Sequence, residues 1–324
     1  DLIMIKELSI FGFRGFGEKQ TLQFALPNGQ VGSGLTIITG ANNSGKTTII
    51  ESIRAFNGHS RMSPSFSEGR RNKKAKERIE LIIKDEKEHE CSIKTVPHGG
   101  SSTVKEGEIS SQYYIVQSRR AIPYEFGKSN ENKDSYMRNA QALENQRDSS
   151  LSNYQARLFQ IEREKDKFDK ILAQVLGRNF DWTIEQRDSG NYYIKCRDQS
   201  VMHSSEGIGD GIWSIFTICA ALFDAEDNSV IVIDEPELSV HPALQKKLLN
   251  LLLSYSDRMQ IIISTHSPYF INWEAITAGA QLVRVVKEEA DTKCYAITDT
   301  TRSAFKNLMR DVNNPHVLGI EANE

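Results

Sequence analysis

Residues 40–48, Gly-Ala-Asn-Asn-Ser-Gly-Lys-Thr-Thr, fill the pattern G-x-x-x-x-G-K-[ST] completely. In such a loop backbone N–H groups turn inward toward a phosphate, and the following helix N-terminus adds its positive dipole. Gly40, Asn42, Asn43, Ser44, Gly45 and Thr48 then form the phosphate cradle, Lys46 reaches the β and γ oxygens, and the Thr47 hydroxyl ligates Mg²⁺. The pattern requires a strand before it and a helix after it. Residues 35–39 (LTIIT) read as a buried strand, and residues 48–56 carry apolar side chains at helical spacing, so the loop predicts binding of a nucleoside triphosphate.

A second group of chemistry-bearing residues follows much later. Residues 230–233 (VIVI) form an apolar strand that delivers Asp234 and Glu235 to its C-terminal end. Strand alternation sends the two carboxylates in different directions, so they can do different work. Asp234 can hold the Mg²⁺ shell while Glu235 acts as general base on water, a role commonly worth a factor of about 10²–10⁴ in rate. Another buried strand, residues 259–263, ends in Ser-Thr-His, and His266 in register with a phosphate loop and a carboxylate pair can reach a γ-phosphate. Residues 113–120 (YYIVQSRR) read as a third buried strand that ends in polar and cationic groups, among them Gln117. This glutamine either orders Mg²⁺ and the attacking water or bonds a neighbouring backbone. Residues 204–211 (SSEGIGDG) open a strongly apolar helix at residues 212–223, and a Ser/Gly segment at a helix N-terminus is an anion site.

These residues need a framework. Residues 4–10 and 20–24 alternate as strand, turn and strand around Phe11 and Phe13, which core packing explains, and Arg14, which it explains less well. A polar stretch with a basic run at residues 70–76 precedes a hairpin (78–84 and 88–95). The run either contacts a nucleic-acid backbone or is a solvated loop. Residues 97–106 read as a Gly/Ser loop. Residues 134–176 are rich in helix formers, and Leu151, Tyr154, Leu158, Ile161, Phe168, Leu172 and Val175 hold an a/d register broken at Lys165. This predicts a helical arm, far too short for a chromosomal rod, packed on the head or on a partner protomer. Hairpins at 181–197 and 281–298 and a helix at 301–312 complete the reading.

Composition narrows the classes. At 324 residues and a net charge of −3, with pI near 6.2, the chain has no chain-wide electrostatic grip on nucleic acid. Its four cysteines are widely spaced, which suits a reducing compartment rather than a disulfide or zinc framework. No apolar run approaches the roughly 18 residues of a membrane span. The expected location is cytoplasmic, with no membrane partner.

In order, GANNSGKTT, SSEGIG, VIVIDEPELSVHP and ISTHS resemble the Walker A, signature, Walker B with D-loop, and switch-histidine motifs of ABC-type ATPases. The resemblance implies an α/β P-loop head with a mixed central sheet, an antiparallel β subdomain and a short helical insertion: residues 1–133 and 178–324 as the two lobes, 134–177 as the insert. It implies ATP and Mg²⁺ as cofactors and a head-to-tail dimer in which Ser205 and Gly207 reach the partner's ATP. Glu206 stands where the usual signature has Gly, and Ile208 replaces its glutamine; a carboxylate there repels a γ-phosphate unless it points away. The opening IKELSIFGFRGF is similar to the RecF and SMC branch, where the arginine matching Arg14 contacts nucleotide phosphate. DEPELSVHP, STHSPYFI and the tail PHVLGIEANE look most like the OLD (overcoming lysogenisation defect) family, in which such a tail leads into a TOPRIM nuclease domain. That family implies control of a nuclease domain or partner in antiphage defence or DNA processing. Two further readings stand beside it: a RecF-like DNA-repair clamp, and an ATP-gated scaffold holding a toxin or effector with little turnover.

Overall fold

A computed structural model of the chain describes residues 3–57, 63–98, 100–109, 113–120, 122–129, 132–139, 143, 154–198, 201–204 and 209–297. The helix expected at 301–312 and the signature residues Ser205, Glu206, Gly207 and Ile208 lie outside them. Along the chain, β1 (Ile5–Phe11) and β2 (Gln20–Gln23) precede β3 (Leu35–Thr39) and α1 (Lys46–Arg54). Then come β4 (Glu80–Asp85), β5 (Glu90–Thr95), β6 (Thr103–Glu106), β7 (Tyr113–Val116), α2 (Lys133–Asn139), α3 (Gln155–Arg163) and α4 (Lys165–Leu176). A small sheet of β8 (Asp181–Gln186), β9 (Tyr192–Asp198) and β10 (Val201–Ser204) leads into α5 (Asp210–Asp224) and β11 (Val230–Asp234). The described chain closes with α6 (Pro242–Tyr255), β12 (Gln260–Thr265), α7 (Trp273–Ala278), β13 (Gln281–Glu288) and β14 (Asp291–Ala296).

The central sheet runs β14-β13-β3-β12-β11-β7. All its pairings are parallel except the β13/β14 edge. Every residue of β3, β11 and β12 is buried, because parallel strands covered on both faces must be apolar on both. Alternation divides them between two cores. Leu35, Ile37, Ile231, Ile233, Ile261 and Ile263 face one core with side chains of α3 to α6. Ile38, Val230, Val232 and Ile262 face the other with Ile49 and Ile53 of α1 and the antiparallel sheet β2-β1-β4-β5-β6. Gln260, wholly buried, ties the two sheets by accepting from Ile5 N at 2.8 Å and donating to Ile5 O and Ala25 O. The mixed sheet, antiparallel subdomain and helical segment are those expected.

One local expectation needs correction. Residues 97–106 are not all loop: Thr103–Glu106 pairs with β5 as an edge strand, too short and polar to stand out against its Gly/Ser flank. The helical segment is interrupted beside Lys165, the polar position of its a/d register: Glu164, at φ −118° and ψ 36°, leaves the helical region between α3 and α4. Of the two placements expected for the segment, the structure has the first, packed on the head. Leu158, Ile161, Phe168, Leu172 and Val175 belong to the first core. A buried knot fixes it there: Arg157 donates from Nε and Nη2 to the two oxygens of Asp224 at 2.8 and 2.7 Å, and Tyr114 Oη donates to Asp224 at 2.6 Å.

Candidate nucleotide site

The phosphate loop leaves β3 and turns into α1 through Gly45, at φ 120°, a conformation that suits glycine. A side chain there would also strike Thr292 at the start of β14, and one at Gly40 would strike Val285 O on β13. The β13/β14 hairpin therefore walls the loop; Thr292 Oγ1 lies 3.3 Å from Ser44 O, and Thr292 N donates to Gly15 O at 2.8 Å. Lys46 is buried and folded back on the loop, its Nζ donating to Gly40 O at 2.6 Å and Ala41 O at 2.9 Å. Ser44 Oγ is buried without a hydrogen-bond partner among the described residues, while Asn42, Asn43 and Thr47 are exposed and Thr48 is buried. An orphaned hydroxyl, a lysine held by its own loop carbonyls and an exposed Thr47 hydroxyl fit a phosphate group with its cation.

Asp234 shares strand parity with Val230 and Val232, so it points to the α1 side. There Thr47 Oγ1 donates to its Oδ2 at 3.3 Å and the Ser264 hydroxyl donates to Oδ1. Burial pushes its carboxyl up to about 6, aided by the charge of Glu235 and opposed by Ser264, Arg120 and Thr47. Glu235 turns the other way at φ 49°, its N–H donating to Ser264 O at 2.9 Å. His266 follows β12, with Nδ1 3.9 Å from Glu235 Oε1 and 3.1 Å from Glu237 Oε1. Lys46 and Thr47 follow β3, Asp234 ends β11 and Glu235 follows it, and His266 follows β12: three neighbouring parallel strands whose C-terminal ends form one crevice, the place where open α/β sheets bind ligands.

Two expected residues sit differently. Gln117 follows β7, with its side-chain amide against the Arg54 guanidinium of α1; with the oxygen of that amide turned to Arg54 it accepts from Nη1 and Nη2 at 3.1 and 3.2 Å. Arg14, at φ 49°, holds Glu51 of α1 at 2.5 Å and lies 5.3 Å from the Phe13 ring centroid. It is beside the loop helix, not free in solvent. Residues 70–76 are partly neutralised: Arg71 pairs with Glu77, and Lys74 with Glu18 and Asp291.

Arg120 is the main residue whose role the sequence left unstated. Its guanidinium donates to Ser214 Oγ of α5 at 2.8 Å, Gln117 O at 2.9 Å, Asp234 O at 2.7 Å and Glu235 O at 2.6 Å. Burial pulls it down to about 10, against the nearby carboxylates, so it stays a cation under the Asp-Glu turn. The cationic end of residues 113–120 was visible; that it reaches across the sheet to two carbonyls was not.

Residues 35–272 match the family described as AAA domain, putative AbiEii toxin, Type IV TA system. The OLD nuclease of Thermus scotoductus is 29% identical over 133 residues, 39% of this chain and 24% of that protein, so the chain spans about a quarter of that relative. The Septu protein PtuA of Bacillus thuringiensis is 24% identical over 330 residues, 90% of this chain and 78% of that protein. Among solved structures, an SmcHead bound to the C-winged helix domain of ScpA superposes with TM-score 0.59 at 18% identity, over 93% of this chain and 99% of that one. The SMC head domain from Thermotoga maritima gives 0.52 at 16%, over 90% and 98%. These last two likenesses carry the fold. The match over residues 35–272, most of the chain, shows that it belongs to this AAA-domain family, and it has the fold of an SMC head.

Proposed function

We propose that the chain binds ATP with Mg²⁺ and hydrolyses it slowly in a head-to-tail dimer in the cytoplasm. Its nucleotide state would control a nuclease domain of TOPRIM type, or a nuclease partner, in antiphage defence or DNA processing. The convergence of Lys46, Thr47, Asp234, Glu235 and His266 on one crevice carries the reading. Backbone N–H groups of residues 42–47 and Lys46 would hold the phosphates, and Thr47 with Asp234 would hold the Mg²⁺. When bound, the metal neutralises charge on the β and γ oxygens. Lys46 exchanges its contacts with Gly40 O and Ala41 O for phosphate oxygens. Asp234, ionised above about pH 6, would face the cation as a carboxylate. Glu235, turned away from Asp234, takes the proton of the attacking water, and His266 faces the γ-phosphate. Gln117 and Arg14 join the site by leaving Arg54 and Glu51, and Ser205 and Gly207 complete the partner's site.

The names of the relatives support the downstream role: one is a nuclease, and the likeness to PtuA runs along most of this chain. The OLD match covers only a quarter of that protein, so nuclease activity attaches to no residue here. A scaffold that holds a toxin or effector is the second reading, favoured by Glu206 in the signature and by the toxin in the family description. A turnover assay with and without DNA separates them. The DNA-clamp reading loses support from the pairing of Arg71 and Lys74.

Light scattering tests the dimer. Glu235→Gln with ATP should double in mass, and Lys46→Ala should not. A Glu235→Gln chain that binds ATP and stays monomeric would overturn the head-to-tail reading.

A further inference from the structure

Glu237 takes no part in the scheme above, yet it is the carboxylate nearest His266. Its Oε1 accepts from His266 N at 2.8 Å and lies 3.1 Å from the ring Nδ1, nearer than Glu235 at 3.9 Å. The Glu237 side chain is only 5% exposed. Its Oε2 and His266 Nδ1 are both buried without a hydrogen-bond partner among the described residues. Two such orphans side by side, one able to donate and one to accept, are a bond that lacks only alignment. The terminal torsion of a glutamate is soft, and a modest rotation aligns them. The backbone around Glu237 is fixed for this: Leu238 N donates to Glu235 O at 3.1 Å and Val240 N to Glu237 O at 2.9 Å. The other charges facing the pair are Glu235 and Arg120, the latter lying within the field of Glu237.

We propose that Glu237 is the positioning residue of His266: its carboxylate accepts the Nδ1–H, fixes the imidazole in that tautomer and leaves Nε2 as the nitrogen that meets the ligand. Which ring nitrogen carries the proton is set by the bond the other nitrogen makes. A ring held this way offers Nε2 as acceptor when neutral and as donor to a phosphate oxygen only when charged, with Glu237 balancing that charge. The consequence for turnover rests on the ATPase reading above; the tautomer itself does not.

Long-range ¹H–¹⁵N correlation of the histidine-labelled full chain reads the tautomer, with the His266 signals assigned by their loss in His266→Gln. The wild type should show Nδ1 protonated. Glu237→Gln retains an oxygen for His266 N, so it should fold, and its ring should shift toward the Nε2–H form. Its kcat for ATP should fall by about 10–100-fold, as for other residues that orient a functional histidine, with KM nearly unchanged. A wild-type ring in the Nε2–H form, or a Glu237→Gln ring still in the Nδ1–H form, would overturn the proposal. A wild-type chain that never hydrolyses ATP would instead sink the ATPase reading and leave the spectrum standing.

Discussion

Two buried aspartates ten residues apart in sequence, Asp224 and Asp234, show what separates a structural carboxylate from one held for a ligand. Asp224 receives two hydrogen bonds from Arg157 and one from Tyr114, a geometry that satisfies both oxygens. Among the described residues, the Asp234 carboxylate receives bonds only from the hydroxyls of Thr47 and Ser264. The nearest guanidinium, Arg120, is aimed at its backbone carbonyl, not at its carboxylate. Burial is therefore uncompensated there, and the carboxyl rises to about 6. Burial alone does not mark a site; burial without a cation bonded to the carboxylate does.

Breaking the compensated pair should have the largest effect on stability. Arg157→Ala leaves Asp224 buried and alone, which should cost about 3–5 kcal/mol in denaturant unfolding. The opposite sign is expected at Asp234. A carboxyl raised from 3.8 to about 6 binds its proton more tightly in the folded chain. Its contribution to stability is therefore greatest below the unfolded value and is lost as pH rises from about 4 to about 6. Asp234→Asn should then stabilise the nucleotide-free chain at pH 8 by up to about 3 kcal/mol. The gain should vanish near pH 4, and Mg²⁺-dependent turnover should be lost. A loss of stability at pH 8 would erase the contrast. Tyr114→Phe removes one bond from the satisfied carboxylate and should cost about 2 kcal/mol. Thr47→Ala removes the long, part-buried bond from the other. It should change stability by less than about 1 kcal/mol while abolishing Mg²⁺ support of ATP binding, read by calorimetry with and without the metal.

The same contrast governs how much was legible. The phosphate loop, the Asp-Glu pair and His266 could be read because each sits in a short motif at the end of an apolar strand. Local sequence fixes such strands, and parallel pairing then brings their ends together. The compensating groups are another matter. Arg157 is 67 residues from Asp224 and Arg120 is 114 from Asp234. Thr292 is 248 from Ser44. None belongs to a local pattern, and only the packed sheet shows which charge each one meets. The helical segment's placement, on the head or on a partner, was left open for the same reason. Its apolar register predicts a face to bury, and the Arg157–Asp224 knot that says where is a long-range contact.

ATP turnover of Glu235→Gln beside the wild type, with retained nucleotide measured in both, tests the central assignment most directly. The general-base role predicts retained ATP and a rate lower by about 10²–10⁴. Equal turnover by the two chains would contradict it.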